Sequence, residues 1–299
     1  MRLGVGTTVN DKSLPVTEVA TALEDHGIES MWVGEHTHMP VDTVHNYSRG
    51  GNLHDIYKRF PDPFVTLTAA AAVTTNLRLG TSICLLAEHN PLILAKTIAT
   101  VDQISRGRVE LGLGYGWNEP EVRNNGVDFG RRRDVFREKL QAIKLLWTQE
   151  TVAFDGEFIK FSESWSWPKP IQEPNPPLLI GAAPGRSTFS DIVRLADGWF
   201  PEHTMVGDSL PQHVATLRRH AEDAGRDPDT LSITVCGITG MTGRKGADAI
   251  RERLPQPEVV EQLAAVGVDR ITARIPVNDR DLMLPVLEVL ADYRRYLPE

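Results

Sequence analysis

The sequence predicts an α/β fold, specifically a (β/α)8 TIM barrel with insertions in the loops at its carboxyl-terminal rim. Three features carry that expectation. Short apolar runs alternate with amphipathic stretches almost from end to end, about eight such pairs can be counted, and no repeat or linker-like segment divides them. Such alternation builds parallel strands joined by helical crossovers, and eight units close a barrel. At 299 residues the chain fits one domain over 1–299, since single barrels commonly reach about 250 residues and more with insertions.

The first strand is Arg2 to Val9, and its helix opens after Pro15, with Val16, Val19, Ala20 and Leu23 on one face until Gly27 stops it. Strand two, Ser30 to Gly34, runs directly into Glu35, His36, Thr37 and His38. The polar stretch from His36 to Pro61 is too long for a simple connection and reads as a lid or binding loop. Asp62 and Pro63 supply a cap and a first-turn proline for a helix running to Thr75. Strand three is Leu77 to Leu86, its helix runs from Asn90-Pro91 to about Ile104, and Ser105-Arg106-Gly107-Arg108 makes the turn. Strand four, Val109 to Gly114, precedes a long helix from Arg131 to Trp147 that buries Val135, Leu140, Ile143 and Leu146. Aromatic residues and prolines between Thr151 and Pro177 indicate an insertion with a hairpin around Phe154 to Phe161. Strand five is Leu178 to Gly181, with Gly185-Arg186-Ser187 opening a helix; strand six is Ala196 to Phe200, followed by a helix from Leu210 to Ala224. Strand seven, Ser232 to Ile238, leads to a Gly-rich loop and a helix from Pro257 to Val266; strand eight, Arg270 to Ile275, and a helix from Leu282 to Tyr296 complete the chain.

A formal charge of −8 opposes any sequence-independent grip on nucleic acid or anionic lipid, and the one basic run, Arg131-Arg132-Arg133, is small. No apolar run approaches the roughly 20 residues of a membrane helix, and the start of the chain lacks the pattern of a signal peptide. A cytoplasmic enzyme with a small organic substrate is the expectation, without nucleic-acid or membrane partners. Cys84 and Cys236 both lie in apolar runs, where a thiol is an inert small hydrophobe.

In a barrel the strand ends share one rim, which gathers Thr7, Glu35, His36, Ser82, Cys84, Tyr115 to Glu119, Gly181 to Ser187, Trp199, His203 and Arg274. His36 is the side chain best suited to exchange a proton at neutral pH, and a neighbouring carboxylate would tune it; the same pair also fits a purely structural hydrogen bond. His36 and His38 are spaced like the paired ligands of barrel-type zinc hydrolases, but the Lys, His and Asp that such sites need on later strands are missing, apart from His203, so no metal is expected. Gly112-Leu113-Gly114-Tyr115-Gly116 is not a dinucleotide fingerprint, although glycines there would let a flat ring or a phosphate approach the backbone. The run Gly181-Ala182-Ala183-Pro184-Gly185-Arg186-Ser187 offers free N–H groups ahead of a helix, suited equally to an anion or to an ordinary helix start.

Four stretches together resemble the luciferase-like monooxygenase superfamily, in particular its branch of oxidoreductases that use the deazaflavin coenzyme F420. They are Trp32-Val33-Gly34-Glu35-His36; Leu79-Gly80-Thr81-Ser82-Ile83 with Asn90-Pro91; Asp102 to Arg108 running into Gly112-Leu113-Gly114-Tyr115-Gly116-Trp117; and Phe154-Asp155-Gly156-Glu157-Phe158 through Pro176 to Gly181. The resemblance implies a barrel, usually homodimeric, with F420 at its mouth, or FMN in the monooxygenases that pair reduced flavin with oxygen. It implies that Glu35 and His36 sit beside the cofactor ring with His36 as proton donor or acceptor, and that a non-proline cis peptide at Ser82-Ile83 backs the ring. Tyr115 and Gly116 would follow the cofactor tail, with Gly181, Ala182, Ala183, Arg186 and Ser187 near its phosphate. Where the sugar-phosphate dehydrogenases of the family carry a catalytic glutamate this chain has Trp117, which argues against a sugar phosphate; Trp117, Glu119 and Trp199 are the candidate substrate-pocket residues. The pair Trp165 and Trp167 fits either a lid or a dimer contact, and a non-catalytic cofactor-binding homologue is a further alternative.

Overall fold

The computed structural model describes residues 1–45, 53–240 and 246–298. Eight parallel strands close into a barrel in the order β1-β10-β9-β8-β7-β4-β3-β2. They are β1 (Arg2–Thr7), β2 (Ser30–Val33), β3 (Arg78–Cys84), β4 (Val109–Leu113), β7 (Leu178–Ile180), β8 (Gly198–Trp199), β9 (Ser232–Val235) and β10 (Arg270–Arg274). A separate antiparallel hairpin, β5 (Thr151–Asp155) and β6 (Lys160–Trp165), forms the insertion. Each barrel strand coincides with an expected one but stops one to three residues sooner, and several residues just beyond the strand ends line the cavity at the rim.

The helices begin where capping chemistry requires. Asp62 accepts from Val65 N at 2.9 Å to start α2 (Pro63–Val73), and Asn90 accepts from Leu92 N and Ile93 N to start α3 (Pro91–Ser105). Helix α3 stops at Arg106, which takes the left-handed conformation at φ 57°, and Arg108 then turns back to donate to the carbonyls of Ala71 in the last turn of α2 and of Thr74 and Leu77 beyond it. The outer layer also holds α1 (Val16–Asp25), α5 (Arg132–Thr148), α6 (Arg186–Leu195), α8 (Leu210–Asp223), α10 (Pro257–Ala265) and α11 (Arg280–Tyr293). Three short helices were not expected: α4 (Glu119–Asn124), α7 (His203–Val206) and α9 (Ala247–Arg253). Each is a turn or two within a connection, too short for its periodicity to stand out. The centre of the expected loop from His36 to Pro61, and that of the Gly-rich loop after β9, lie outside the described residues.

Inside the barrel the side chains form layers. At the amino-terminal end Arg270 of β10 crosses the interior to Glu110 of β4, four strands away in either direction around the ring, with Nη1 to Oε2 at 2.7 Å and Nη2 to Oε1 at 2.9 Å. Glu29 also accepts from Arg270, at 2.7 and 2.9 Å, and Arg78 donates to Glu110. Above this charged layer Trp32, Leu179, Phe200 and Cys236 pack as a unit with Ile83 against it. The indole of Trp32 fits because Gly80 faces it: a Cβ there would stand 2.2 Å from the ring.

Trp165 and Trp167 are 73% and 56% exposed. The carbonyl of Trp167 is bound by Lys96 of α3 on the barrel's flank, and neither ring reaches the mouth cavity. Among the described residues no helix is long and apolar enough to cross a membrane.

Candidate active site

The carboxyl ends of the strands enclose a cavity of about 450 Å³, within the range of small-molecule and cofactor sites. Gly34 and Glu35 from β2, Ser82 and Ile83 from β3, Tyr115 and Gly116 after β4, and Gly181 to Ala183 after β7 all line it. The peptide Ser82-Ile83 is cis, as expected, and the β3–β4 register shifts between Thr81 and Cys84 at that point. Ile83 packs against the layer of Trp32, Leu179, Phe200 and Cys236. A Cβ on Gly114 would come within 2.1 Å of its side chain, and one on Gly181 within 2.7 Å, so two bare backbones make the room that it fills.

His36 is 8% exposed and lines the cavity. Its Nδ1 lies 2.6 Å from Glu121 Oε2, and Glu121 is fully buried. Thr37 N donates to Glu121 Oε1 at 3.1 Å and Asn118 Nδ2 reaches Oε2 at 3.3 Å, so the carboxylate is fixed from three sides. A hydrogen on Nδ1, shared with Glu121, leaves the lone pair of Nε2 as the proton acceptor. Around the imidazole stand the rings of Trp117, Tyr57 and Phe60, with centroids at 5.4, 5.5 and 5.9 Å.

Glu35 is also buried, but both its oxygens are engaged: Leu85 N donates to Oε2 at 2.6 Å and His89 Nε2 lies 2.7 Å from Oε1. It joins the end of β2 to the loop after β3, which makes it a clamp on the Ser82-Ile83 region. The carboxylate that addresses His36 is Glu121. Glu35, His89 and Cys84 are the one group of potential metal donors that comes together among the described residues. Burial, and then the neighbouring Glu35, push the Cys84 thiol well up, away from the thiolate that a metal requires. His36, His38 and His203 form no such group: Glu121 engages His36, while Thr37 and Asn124 engage His38.

Tyr115 donates to Asp191 at 2.8 Å beneath the guanidinium of Arg133, which lies 4.1 Å from the ring centroid, and burial pushes its phenol up. Gly116 has φ 85°, and its carbonyl accepts from Arg132, another residue of the cavity wall. Four expected site residues lie outside the cavity lining. Trp199 is wholly buried, its indole donating to Ala182 O at 3.0 Å, because β8 points that side chain outward between strand and helix. Glu119 pairs with Arg123 at 2.6 Å on the exposed side of α4. Arg186 and Ser187 are exposed at the start of α6, where the Ser187 hydroxyl accepts from Arg133 and Arg137 of α5. Trp117 does line the cavity and is 38% exposed.

The sequence analysis missed Glu121, the partner of His36. A signal was present: Asn118-Glu119-Pro120-Glu121 has an N-cap residue type, an early proline and first-turn acids, which together start a helix. Tyr57 and Phe60 carried no signal beyond their place in a long loop.

Behind this dyad lies Glu88, whose buried Oε1 has no hydrogen-bond partner and whose Oε2 accepts from Asn125 at 2.9 Å. Burial, and then the carboxylates of Glu121 and Glu35, push its carboxyl from 4.5 up to about 8. Burial likewise brings the Lys139 amine down to about 8, each group's pull on the other being outweighed. Between about 4.5 and about 8 the folded chain thus holds a proton on Glu88 that the unfolded chain releases. Stability falls across that window as pH rises, by about 1.4 kcal/mol per pH unit where the difference is a full proton. Thermal melts from pH 5.5 to 8 should show this slope flattened in Glu88→Gln; equal slopes in both proteins would remove the assignment.

Residues 5–277 match the family model described as luciferase-like monooxygenase. An uncharacterised protein of Mycobacterium tuberculosis is 39% identical over 281 residues, covering 92% of this chain and 99% of that protein. The F420-dependent glucose-6-phosphate dehydrogenase of Kineococcus radiotolerans is 30% identical over 227 residues, covering 74% of this chain and 62% of that enzyme. Among solved structures a monooxygenase from Streptomyces bottropensis superposes with a TM-score of 0.77 at 19% identity, covering 98% of each chain, which supports the barrel fold. With the family model spanning nearly the whole barrel, the chain belongs to the luciferase-like monooxygenase family.

Proposed function

We propose that this protein is an oxidoreductase that moves a hydride between an organic substrate and the deazaflavin coenzyme F420 at the barrel mouth, with His36 handling the accompanying proton. The observation that carries this reading is the His36–Glu121 dyad, buried, 2.6 Å across and set in the cavity wall. The cavity's volume of about 450 Å³ leaves room for a flat ring system. Ile83 packs there with Trp32, Phe200 and Cys236, in room left by Gly114 and Gly181, and Gly34 also lines the cavity. Ser82, Ile83 and Gly34 would hold the ring, and Tyr115, Gly116 and Gly181 to Ala183 would follow the tail. Arg132 in the wall, with Arg186 and Ser187 further out, would meet the tail's anionic groups. When bound, the deazaflavin supplies the carbon that takes or gives the hydride.

The chain's own residues do the rest. Glu121 holds the imidazole in one tautomer and orientation, so that Nε2 takes the proton of a substrate hydroxyl as the carbonyl forms; the resulting imidazolium is stabilised by the same carboxylate. In the opposite direction the imidazolium donates. Tyr57, Phe60 and Trp117 keep water from the imidazole. Glu35 acts by position, holding the loop that carries Ser82 and Ile83. The exposed apolar side chains Val65 of α2 and Ile93 of α3 offer a face for a homodimer, whose mass sedimentation would read directly.

The family's monooxygenases favour a second reading, in which reduced FMN and oxygen serve the same cavity. Titration with each cofactor separates them. Tight F420 binding, with reduction of the bound coenzyme by an organic donor, supports the proposal. Binding of FMN alone, with substrate-dependent oxygen uptake, replaces it, and cofactor binding without turnover of any donor leaves a binding protein.

A further inference from the structure

We propose that the substrate is an alcohol or ketone whose carbon carries an apolar ring or branched alkyl group, received by the aromatic cage of Tyr57, Phe60 and Trp117, and that anionic sugar phosphates are refused. This rests on the dyad acting as described above and names the substrate class for the same site.

A hydroxyl or carbonyl oxygen that exchanges a proton with His36 must lie about 3 Å from Nε2. The carbon bearing it is one bond further, so its substituents fall among whatever surrounds the imidazole. What surrounds it is aromatic. Trp117, Tyr57 and Phe60 stand around the ring at 5.4 to 5.9 Å, and they also touch one another, Tyr57 lying 6.0 Å from Trp117 and 6.1 Å from Phe60. All three line the cavity, and Met205 and Phe200 extend its apolar wall. Flat or branched hydrocarbon gains contact on such faces and loses nothing by leaving water.

A phosphate has no comparable partner there. Two described cations line the cavity. Arg274 pairs with Glu202 at 3.3 Å, and Arg132 is held by the carbonyls of Gly116 and Phe129 with its guanidinium over the Phe129 ring. In the reading above Arg132 serves the cofactor's tail. Bringing a dianion into the cage would strip its hydration without returning a charge-assisted bond. The alcohol and ketone forms differ by one hydride on carbon and one proton on oxygen; the cofactor accounts for the first and His36 Nε2 for the second, and no other reactant is needed.

Acetophenone and glucose 6-phosphate serve as probes, titrated by calorimetry into the protein alone and into protein saturated with F420. Acetophenone is expected to saturate both forms. Trp117→Ala and Tyr57→Ala should each weaken it about tenfold or more, the scale of one lost aromatic contact, while Trp117→Phe stays within about threefold. Glucose 6-phosphate should show no saturation. Failure of acetophenone to saturate, tighter binding of glucose 6-phosphate, or unchanged acetophenone binding in both alanine variants would each overturn the assignment. If the alanine variants do not fold, the two probes on the unaltered protein still decide. The two readings fail separately. Trp117-dependent acetophenone binding without F420 binding removes the cofactor assignment alone, whereas tight F420 binding with a preference for glucose 6-phosphate removes the substrate class alone.

Discussion

Replacing His36 with alanine should lower turnover by about 10²- to 10⁴-fold and leave cofactor affinity within about threefold, because the imidazole serves the substrate's proton and not the floor on which a ring lies. Glu121→Gln tests the same idea from behind. Gln keeps the shape of the side chain but can present an amide N–H to Nδ1, which would favour the wrong tautomer and turn Nε2 from acceptor to donor. The loss belongs in kcat with KM little changed, since an orienting carboxylate matters most when the imidazole becomes charged. A purely structural Glu121 would instead lower the melting temperature and leave kcat intact. Rapid mixing of cofactor-loaded protein with a turned-over donor reads the rate, and an unaltered kcat in both variants would take His36 out of the chemistry.

The pair also shows how far the sequence could be read. His36 was legible because strand β2 is a continuous apolar run, and a histidine directly beyond such a run must stand at the rim of a barrel. Glu121 was not, because it comes from 85 positions further along, on a helix of six residues whose periodicity cannot register. Glu35 shows a different limit. Adjacency in sequence suggested joint action with His36, and both line the cavity, but the oxygens of Glu35 are taken up by Leu85 N and His89, partners from the loop after β3. Strand positions and capped helix starts were readable within a few residues because alternation, Asp62-Pro63 and Asn90-Pro91 are local signals. Trp199 shows another limit: in the short run from Ala196 to Phe200 two aromatic residues are adjacent, so sequence alone could not say which of them faces the interior, and Phe200 rather than Trp199 lines the cavity. The aromatic cage depends on long-range packing, which brings Tyr57 and Phe60 from one loop against Trp117 from another.

At the opposite end of the barrel, Glu110→Ala should destabilise the fold by about 3 to 5 kcal/mol while leaving the kcat of the folded protein unchanged. Arg270 is 1% exposed and Glu110 4%. Burial pushes the Glu110 carboxyl up, but Arg270 and Arg78 more than reverse this and hold it below the usual carboxylate range. A carboxyl held down in this way contributes stability above its unfolded pKa, and the contribution is lost as pH falls through the folded value, so the unaltered protein should weaken in acid below about pH 4. Removing the carboxylate leaves the Arg270 guanidinium in the interior with Glu29 as its remaining carboxylate partner, and desolvation of the charge is then poorly compensated. Glu110→Ala combined with Arg270→Met removes the stranded charge as well and should recover part of the loss, which a purely additive pair would not do. Urea unfolding of the two single variants and the double variant measures this coupling. A single-variant loss below about 1 kcal/mol, the range of a surface ion pair, would show that the layer is solvated. A fall in kcat at constant fold would show that the two ends of the barrel are mechanically linked through Trp32, whose indole lies 5.2 Å from the Arg270 guanidinium and packs on the other side against Phe200 in the cavity wall.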